Sequence, residues 1–329
     1  MESFEDIIGQ EEIVDYLTRT IKRDKVSHAL LLSGEKHTGK EYIARIYATA
    51  LQCEGRDSRP CGECHSCKMA ASMSHPDIIT LTHEKPNSIG VDDIREQLND
   101  DIVIKPYYSS RKIYILSDAA IMTEEAQNAL LKTLEEPPEY AVIMLLTDNK
   151  ERMLPTILSR CVCLNIKPVS RDRIREYLKI KKGLTGRAAD VAVAFARGSI
   201  GRAEMLSASG EYAAVMNSVT EVLSRIKDLS ISEELDFISK ISDNKEMAFD
   251  YLDIMEAWYR DILVYKSTQE PDMLMFLNER TQIERLARVA GYRDISLVLE
   301  AIEDARDKLN ANVYVSLVFE LLLDTMRGR

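Results

Sequence analysis

The chain has no long apolar run: the longest, residues 141–146, is far too short for a membrane span of about 20 residues. Met1 is not followed by a basic, apolar and small-residue leader, so a soluble, cytoplasmic protein without membrane association is expected. An excess of positive charge is missing as well. Against 54 acidic residues stand 43 basic ones, a net charge of -11, which argues against a protein that grips DNA unaided through a basic surface. Nucleic-acid contact should then be local or shared with partners. No internal repeat, low-complexity tract or heptad run is present. The 329 residues exceed the size at which a single core usually stops growing, so two or three domains are expected.

Cysteine is scarce too, with six in the chain, yet four of them cluster. Cys53, Cys61, Cys64 and Cys67 are spaced C-x7-C-x2-C-x2-C, with Gly55, Ser58 and Pro60 in the polar stretch between the first two. Such close spacing in a chain without a leader favours metal binding over disulfides. Four thiolates satisfy a tetrahedral zinc with no open position, which predicts a structural site and not a catalytic one. Reduced or redox-active thiols are the competing reading. His65 and His75 lie near, but four cysteines already complete the shell. Cys161 and Cys163 stand apart in a β-like stretch; they are expected on its opposite faces, as buried thiols that do not chelate together.

Residues 34–41 read GEKHTGKE, a phosphate-binding loop complete in its glycines and lysine. Gly34 and Gly39 let the backbone curl so that its amides face a triphosphate, and Lys40 reaches the outer phosphates. An apolar run at 29–32 predicts the preceding buried strand, and residues 41–51 predict a helix with Ile43, Ile46, Tyr47 and Ala50 on one face. The residue after the lysine normally gives a hydroxyl to magnesium, and Glu41 has none. A carboxylate about 4 Å from a phosphate oxygen would be repelled by about 4 kcal/mol at an effective dielectric of 20. Glu41 could instead ligate a metal itself, and a chance glycine-rich turn is the competing reading of the whole loop.

A hydrolytic site of this kind also needs a second strand that ends in acidic residues. The candidate is residues 112–118, KIYILSD, where the usual Asp-Glu pair is replaced by Ser117 and Asp118. Asp118 either serves the site or simply caps a turn. Thr123 is a helix cap followed by Glu124 and Glu125 in the first turn, and Pro137 with Pro138 ends that helix. Another buried strand is expected at 142–147, and residues 158–161 then read LSRC.

Several of these segments together closely resemble the clamp-loader subunits of bacterial DNA polymerase III, an AAA+ family, and within it the delta-prime branch. They are FEDIIGQ at 4–10, SHALLLSG at 27–34, the four cysteines, HPD at 75–77, NALLKTLEEPP at 128–138 and the SRC triplet at 159–161. The resemblance implies an α/β P-loop AAA+ domain at 1–166, with a parallel sheet, flanking helices and the zinc module inserted at 53–67. A small helical lid at 167–207 and an all-α collar domain at 208–329 would follow. The residues agree with that plan: β-like patterns vanish after Pro168, glycines at 183, 186, 198 and 201 break up the lid, and Val298, Ile302, Ala305 and Leu309 share one helical face.

In that family the gamma and tau subunits hydrolyse ATP, whereas delta-prime typically serves as a stator. The resemblance places a phosphate-sensing polar residue at Thr147 and a lid arginine at Gly201, with Arg202 one residue late and turned about 100° around the helix. It places Arg160 in the role of an arginine finger, donated in trans to the ATP site of a neighbouring subunit. Gly34, Gly39 and Lys40 then form a degenerate loop whose ATP and magnesium occupancy stays open, and zinc is the structural cofactor. The implied partners are the gamma/tau and delta subunits and, through the complex, the sliding clamp and primer-template DNA in a nucleoid-associated replisome. The alternative is an ATP-hydrolysing gamma/tau-type subunit in which Glu41 or Asp118 restores magnesium binding, which an end at Arg329 without a tau-like extension disfavours. An autonomous DNA-binding zinc protein is disfavoured by the acidic balance and by the lack of interleaved basic and aromatic residues near the cysteines.

Overall fold

A computed structural model of the chain describes residues 2–55, 58–83, 85, 88–208, 210–242 and 245–328. The chain forms two compact units, Met1–Ser207 and Ala208–Arg329. The first is built on five strands: β1 (Ala29–Ser33), β2 (Ile78–Thr80), β3 (Lys112–Leu116), β4 (Ala141–Thr147) and β5 (Val162–Asn165). Their order across the sheet is β2-β3-β4-β1-β5, and every pair is parallel. Leu31 aligns with Leu145 on one side and with Cys163 on the other.

The central strands β1, β3 and β4 are buried along their whole length, because helices cover both faces of a parallel sheet and leave no side for polar alternation. Successive side chains enter opposite layers. Leu30, Leu32, Val142 and Met144 pack with Ile43, Ile46 and Tyr47 of the helix Lys40–Gln52. Leu31, Ile143 and Leu145 pack with Leu130 and Leu134 of the helix Glu124–Glu135, which Thr123 caps by accepting from the Ala126 N–H at 3.2 Å. Strand β1, flanked by β4 and β5, delivers the loop at 34–39 to the carboxyl edge of the sheet, where open α/β sheets bind ligands.

The edge strand β5 corrects one expectation. Cys163 is exposed and Cys161 half-buried, and neither is the fully buried thiol expected. Positions 161 and 163 are two apart, so with the two-residue strand period they share a side instead of opposing each other. Val162 and Leu164 turn to the layer covered by helix Lys40–Gln52, and Cys163 and Asn165 alternate with them and are exposed. Burial still pushes the Cys161 thiol up to about 12.

The unit ends with three helices, Arg171–Lys182, Gly186–Phe195 and Ile200–Ala208. Gly198, between the last two, lies directly on the connector that leaves the sheet: its carbonyl accepts from the Val169 N–H at 2.8 Å. Its φ is +80°, and an added Cβ would stand 2.4 Å from Pro168 Cβ and 2.9 Å from Pro168 Cα. Gly198→Ala is therefore expected to destabilise this unit by about 3 kcal/mol, from left-handed strain plus overpacking. A melting temperature within a degree of the parent would contradict that estimate.

The second unit is helical, with Gly210–Ser224, Ile231–Ser242, Lys245–Thr268, Arg280–Val289, Tyr292–Asn310 and Val315–Arg327. Among the described residues no strand follows Asn165, and no helix is long and apolar enough to cross a membrane. Val298, Ile302, Ala305 and Leu309 are all buried, alongside a core that includes Trp258 and Phe319. Arg327 meets the buried Glu234 at 2.6 Å, and Arg306 meets the buried Asp253 at 2.6 Å, so each of these two buried carboxylates has a charged partner.

Candidate nucleotide and metal sites

The loop at 34–39 connects β1 to its helix through a left-handed Gly39 at φ +89°, a turn that L side chains rarely adopt. The Gly34 N–H donates to the Thr147 carbonyl at the end of β4, at 3.1 Å. Lys40 Nζ donates to the carbonyls of Gly34 at 2.8 Å and Glu35 at 2.6 Å, so the ammonium is held inside the curl of the loop. Burial lowers its pKa, against the opposing pull of Asp148, Asp118 and Glu41. Asp148, one of these three carboxylates, is a group that the motif reading did not single out. Its position directly after Thr147 was the available signal.

The other residues of this site are placed as follows. Glu41 is exposed on the first turn of its helix. Ser117 is half-buried at the end of β3, and the exposed Asp118 takes a left-handed backbone without any side-chain cap on the turn that follows. Thr147 is buried, with its hydroxyl donating to the Asn149 carbonyl at 2.9 Å. Gly201 does face the loop, since a Cβ there would lie 3.5 Å from the His37 carbonyl, which also accepts from the Ser199 hydroxyl. Arg202 turns elsewhere: its Nε donates to the Phe195 carbonyl at 2.8 Å. A cavity of about 510 Å³ opens beside the loop, bordered by Thr38, Tyr42, Tyr177, Gly201 and Glu204. Burial, reinforced by Asp6, pushes the Tyr42 hydroxyl up to about 12.

Arg160 follows the short helix Pro155–Leu158 and directly precedes Cys161 and strand β5. Its guanidinium meets Glu135 at 2.6 Å, and its Nη1 donates to the Thr156 carbonyl at 2.9 Å and to Ser159 Oγ at 3.2 Å. About a third of the side chain stays exposed.

The four cysteines converge. Their sulfurs all lie within 4.8 Å of one another, and Cys61 and Cys67 are 4.0 Å apart. A tetrahedron of Zn–S bonds of about 2.3 Å has edges of about 3.8 Å, so the donor set fits a metal ion with little adjustment. Backbone amides support thiolates here: Gly55 and Cys61 donate to Cys53 Sγ, and Cys64 donates to Cys61 Sγ. The Cys64 and Glu63 amides draw the Cys61 thiol down to about 6, whereas burial pushes Cys53 and Cys67 up. A cation would supply the charge that keeps such buried sulfurs ionised. His65 and His75 stay out of the shell; His75 Nδ1 accepts from the Asp77 N–H at 3.1 Å.

Asp77 itself is the anchor that sequence reasoning treated only as part of a motif. Fully buried, its carboxylate accepts from the backbone N–H groups of Tyr107 at 2.6 Å, Tyr108 at 2.7 Å and Ser109 at 3.3 Å. Gln52, next to the first cysteine, donates to the Asp77 carbonyl at 3.2 Å and to Arg111 at 2.8 Å. The Tyr108 ring sits 5.5 Å from His65. The cysteine module is thereby tied to the β2–β3 margin of the sheet.

A five-stranded parallel sheet in this order, carrying a phosphate-type loop after its first strand and helices on both faces, is an α/β domain of the P-loop type. Residues 9–170 match the family described as DNA polymerase III, delta subunit. The chain is 29% identical over 321 residues to the DNA polymerase III subunit delta-prime of Bacillus subtilis, covering 95% of both proteins. It is 37% identical over 177 residues to the subunit tau/gamma of Haemophilus influenzae, which covers 54% of this chain and 25% of that relative. A solved gamma subunit-related protein from Thermotoga maritima aligns over 95% of this chain and 99% of its own at 20% identity, with a TM-score of 0.49. The chain is thus similar to DNA polymerase III subunits of the delta-prime and tau/gamma kinds. It spans between a quarter and a half of the length of curated tau and gamma relatives it matches.

Proposed function

We propose that this chain is a delta-prime-type subunit of the DNA polymerase III clamp loader, which helps load the sliding clamp onto primed DNA without hydrolysing ATP itself. The observation that carries the reading is an asymmetry between what it keeps for itself and what it presents to others. At its own loop the lid position facing the nucleotide side is the glycine Gly201, and Glu41 and Ser117 replace two magnesium-side groups. Arg160, by contrast, is intact, ordered by three contacts and partly exposed. It would act in trans, where its fixed cationic fork meets charge that develops on the transferred phosphate of a neighbouring tau/gamma-type subunit. The end-to-end correspondence with a delta-prime relative supports the same reading. Zinc at Cys53, Cys61, Cys64 and Cys67 would have a structural role, because four sulfurs leave no position for a reacting water. Gly34, Gly39 and Lys40 would retain at most nucleotide binding.

The purified chain alone, given magnesium and ATP, is expected to show no turnover above background, while a loader reconstituted with its tau/gamma and delta partners hydrolyses ATP when primed DNA is added. Robust hydrolysis by the isolated chain would overturn the proposal in favour of a tau/gamma-type ATPase.

A further inference from the structure

Arg160 does not project freely from the surface. Its Nη2 is 2.6 Å from Glu135 Oε1, and its Nη1 donates to Thr156 O at 2.9 Å and to Ser159 Oγ at 3.2 Å. Three of the five guanidinium N–H groups are engaged inside the chain, which leaves two for an oxyanion outside it. Two of the anchors are local to Arg160, lying one and four residues before it, and can only follow wherever the short helix Pro155–Leu158 goes. Glu135 is different. It is the last residue of the helix Glu124–Glu135, whose Ala126, Leu130 and Leu134 are locked into the core and whose end is set by Pro137 and Pro138. The carboxylate therefore refers the guanidinium to a rigid element.

We propose that Glu135 is a positioning residue for Arg160, holding the guanidinium in the pose in which it meets the neighbouring subunit's phosphates. The proposal rests on the reading of Arg160 as a group that acts in trans. A flexible arginine must be ordered during the reaction, and a misplacement of about 1 Å can cost on the order of 10²-fold in rate. A guanidinium already fixed on two sides avoids most of that loss. The pair does little for stability, since Glu135 is half exposed and exposed ion pairs contribute little. Its removal should therefore be felt in rate and not in folding.

The test uses the reconstituted loader carrying the parent chain, Glu135→Ala, Glu135→Gln, Arg160→Ala or the double variant Glu135→Ala/Arg160→Ala, with DNA-stimulated single-turnover ATP hydrolysis followed across ATP concentration. Glu135→Ala is expected to lower the rate at saturating ATP about tenfold and to leave the half-saturating ATP concentration and the melting temperature unchanged. Glu135→Gln keeps an acceptor oxygen and should recover most of the rate. The double variant should be no slower than Arg160→Ala, because Glu135 acts only through the arginine. A parental rate in Glu135→Ala, or a double variant clearly slower than Arg160→Ala, would overturn the positioning role. A parental rate in Arg160→Ala would instead remove the trans reading on which the proposal rests.

Discussion

Replacing Arg160 with alanine is expected to slow ATP hydrolysis by about 10³-fold or more at the one site that this chain would serve, while the chain still folds and assembles. The size follows from where the charge acts. A guanidinium supplied by a neighbour meets negative charge that builds up only as the phosphoryl group leaves, so its contribution falls on the transition state and not on nucleotide binding. Folding should be untouched, because the side chain is about a third exposed and its ion pair with Glu135 lies at the surface. Arg160→Lys should recover little, since an ammonium keeps the charge but loses the planar fork. If the assembled loader carries several ATP sites, bulk turnover falls only by the share of the site that has lost its arginine unless the sites fire in concert. Single-turnover hydrolysis with primed DNA resolves that site as a missing fast phase. A fast phase of unchanged amplitude and rate would dismiss the arginine from this role.

Removal of the metal should have the largest effect on the chain itself. One zinc per chain is expected by elemental analysis of protein purified without chelators, and Cys53→Ser or Cys67→Ser should reduce it to a trace. Structural zinc in small modules binds with about 10–16 kcal/mol of apparent free energy, comparable to or larger than the 5–15 kcal/mol that holds a whole domain. Four sulfurs gathered within 4.8 Å make the reason concrete: without a cation they must be protonated in a partly buried cluster or repel one another. Loss of the metal should therefore unfold residues 53–67 locally. Its influence should reach the segment 107–109, whose amides depend on Asp77, because Gln52 ties that carboxylate's residue to the last turn before Cys53. Hydrogen exchange after treatment with a strong chelator should rise in both segments. Metal content near zero with native exchange in both would reject a structural zinc.

The framework of the first unit was legible in the sequence because its signals are local. Continuous apolar runs at 29–32, 113–116 and 142–147 became fully buried strands, and Thr123 followed by two glutamates became a capped helix. The loop was legible for the same reason: Gly39 is demanded by a turn whose geometry is set within a few residues. The cysteine cluster was legible through spacing alone, and its sulfurs do meet. What escaped was long-range or marginal. Asp77 finds its three amide donors some thirty residues downstream, and no pattern at 75–77 announces them. Cys163 looked like a core thiol because the strand around it is apolar, but an edge strand has one uncovered side, and which strand lies at the edge is a property of sheet order.

The sequence by itself determined the class of chemistry available to this protein. Phosphate-loop glycines and a lysine without the magnesium hydroxyl, four metal-spaced cysteines and an intact SRC arginine are all matters of residue identity and short spacing. Only the tertiary structure decided how those groups are disposed. It brought Gly201 against the loop, turned Arg202 away from it, set Glu135 on Arg160 and bound the cysteine module to the sheet through Asp77 and Gln52. The physical reason is the same in each case. Local sequence encodes periodicity, caps and turns, whereas the meeting of distant side chains depends on the order of the strands and on which face each helix buries.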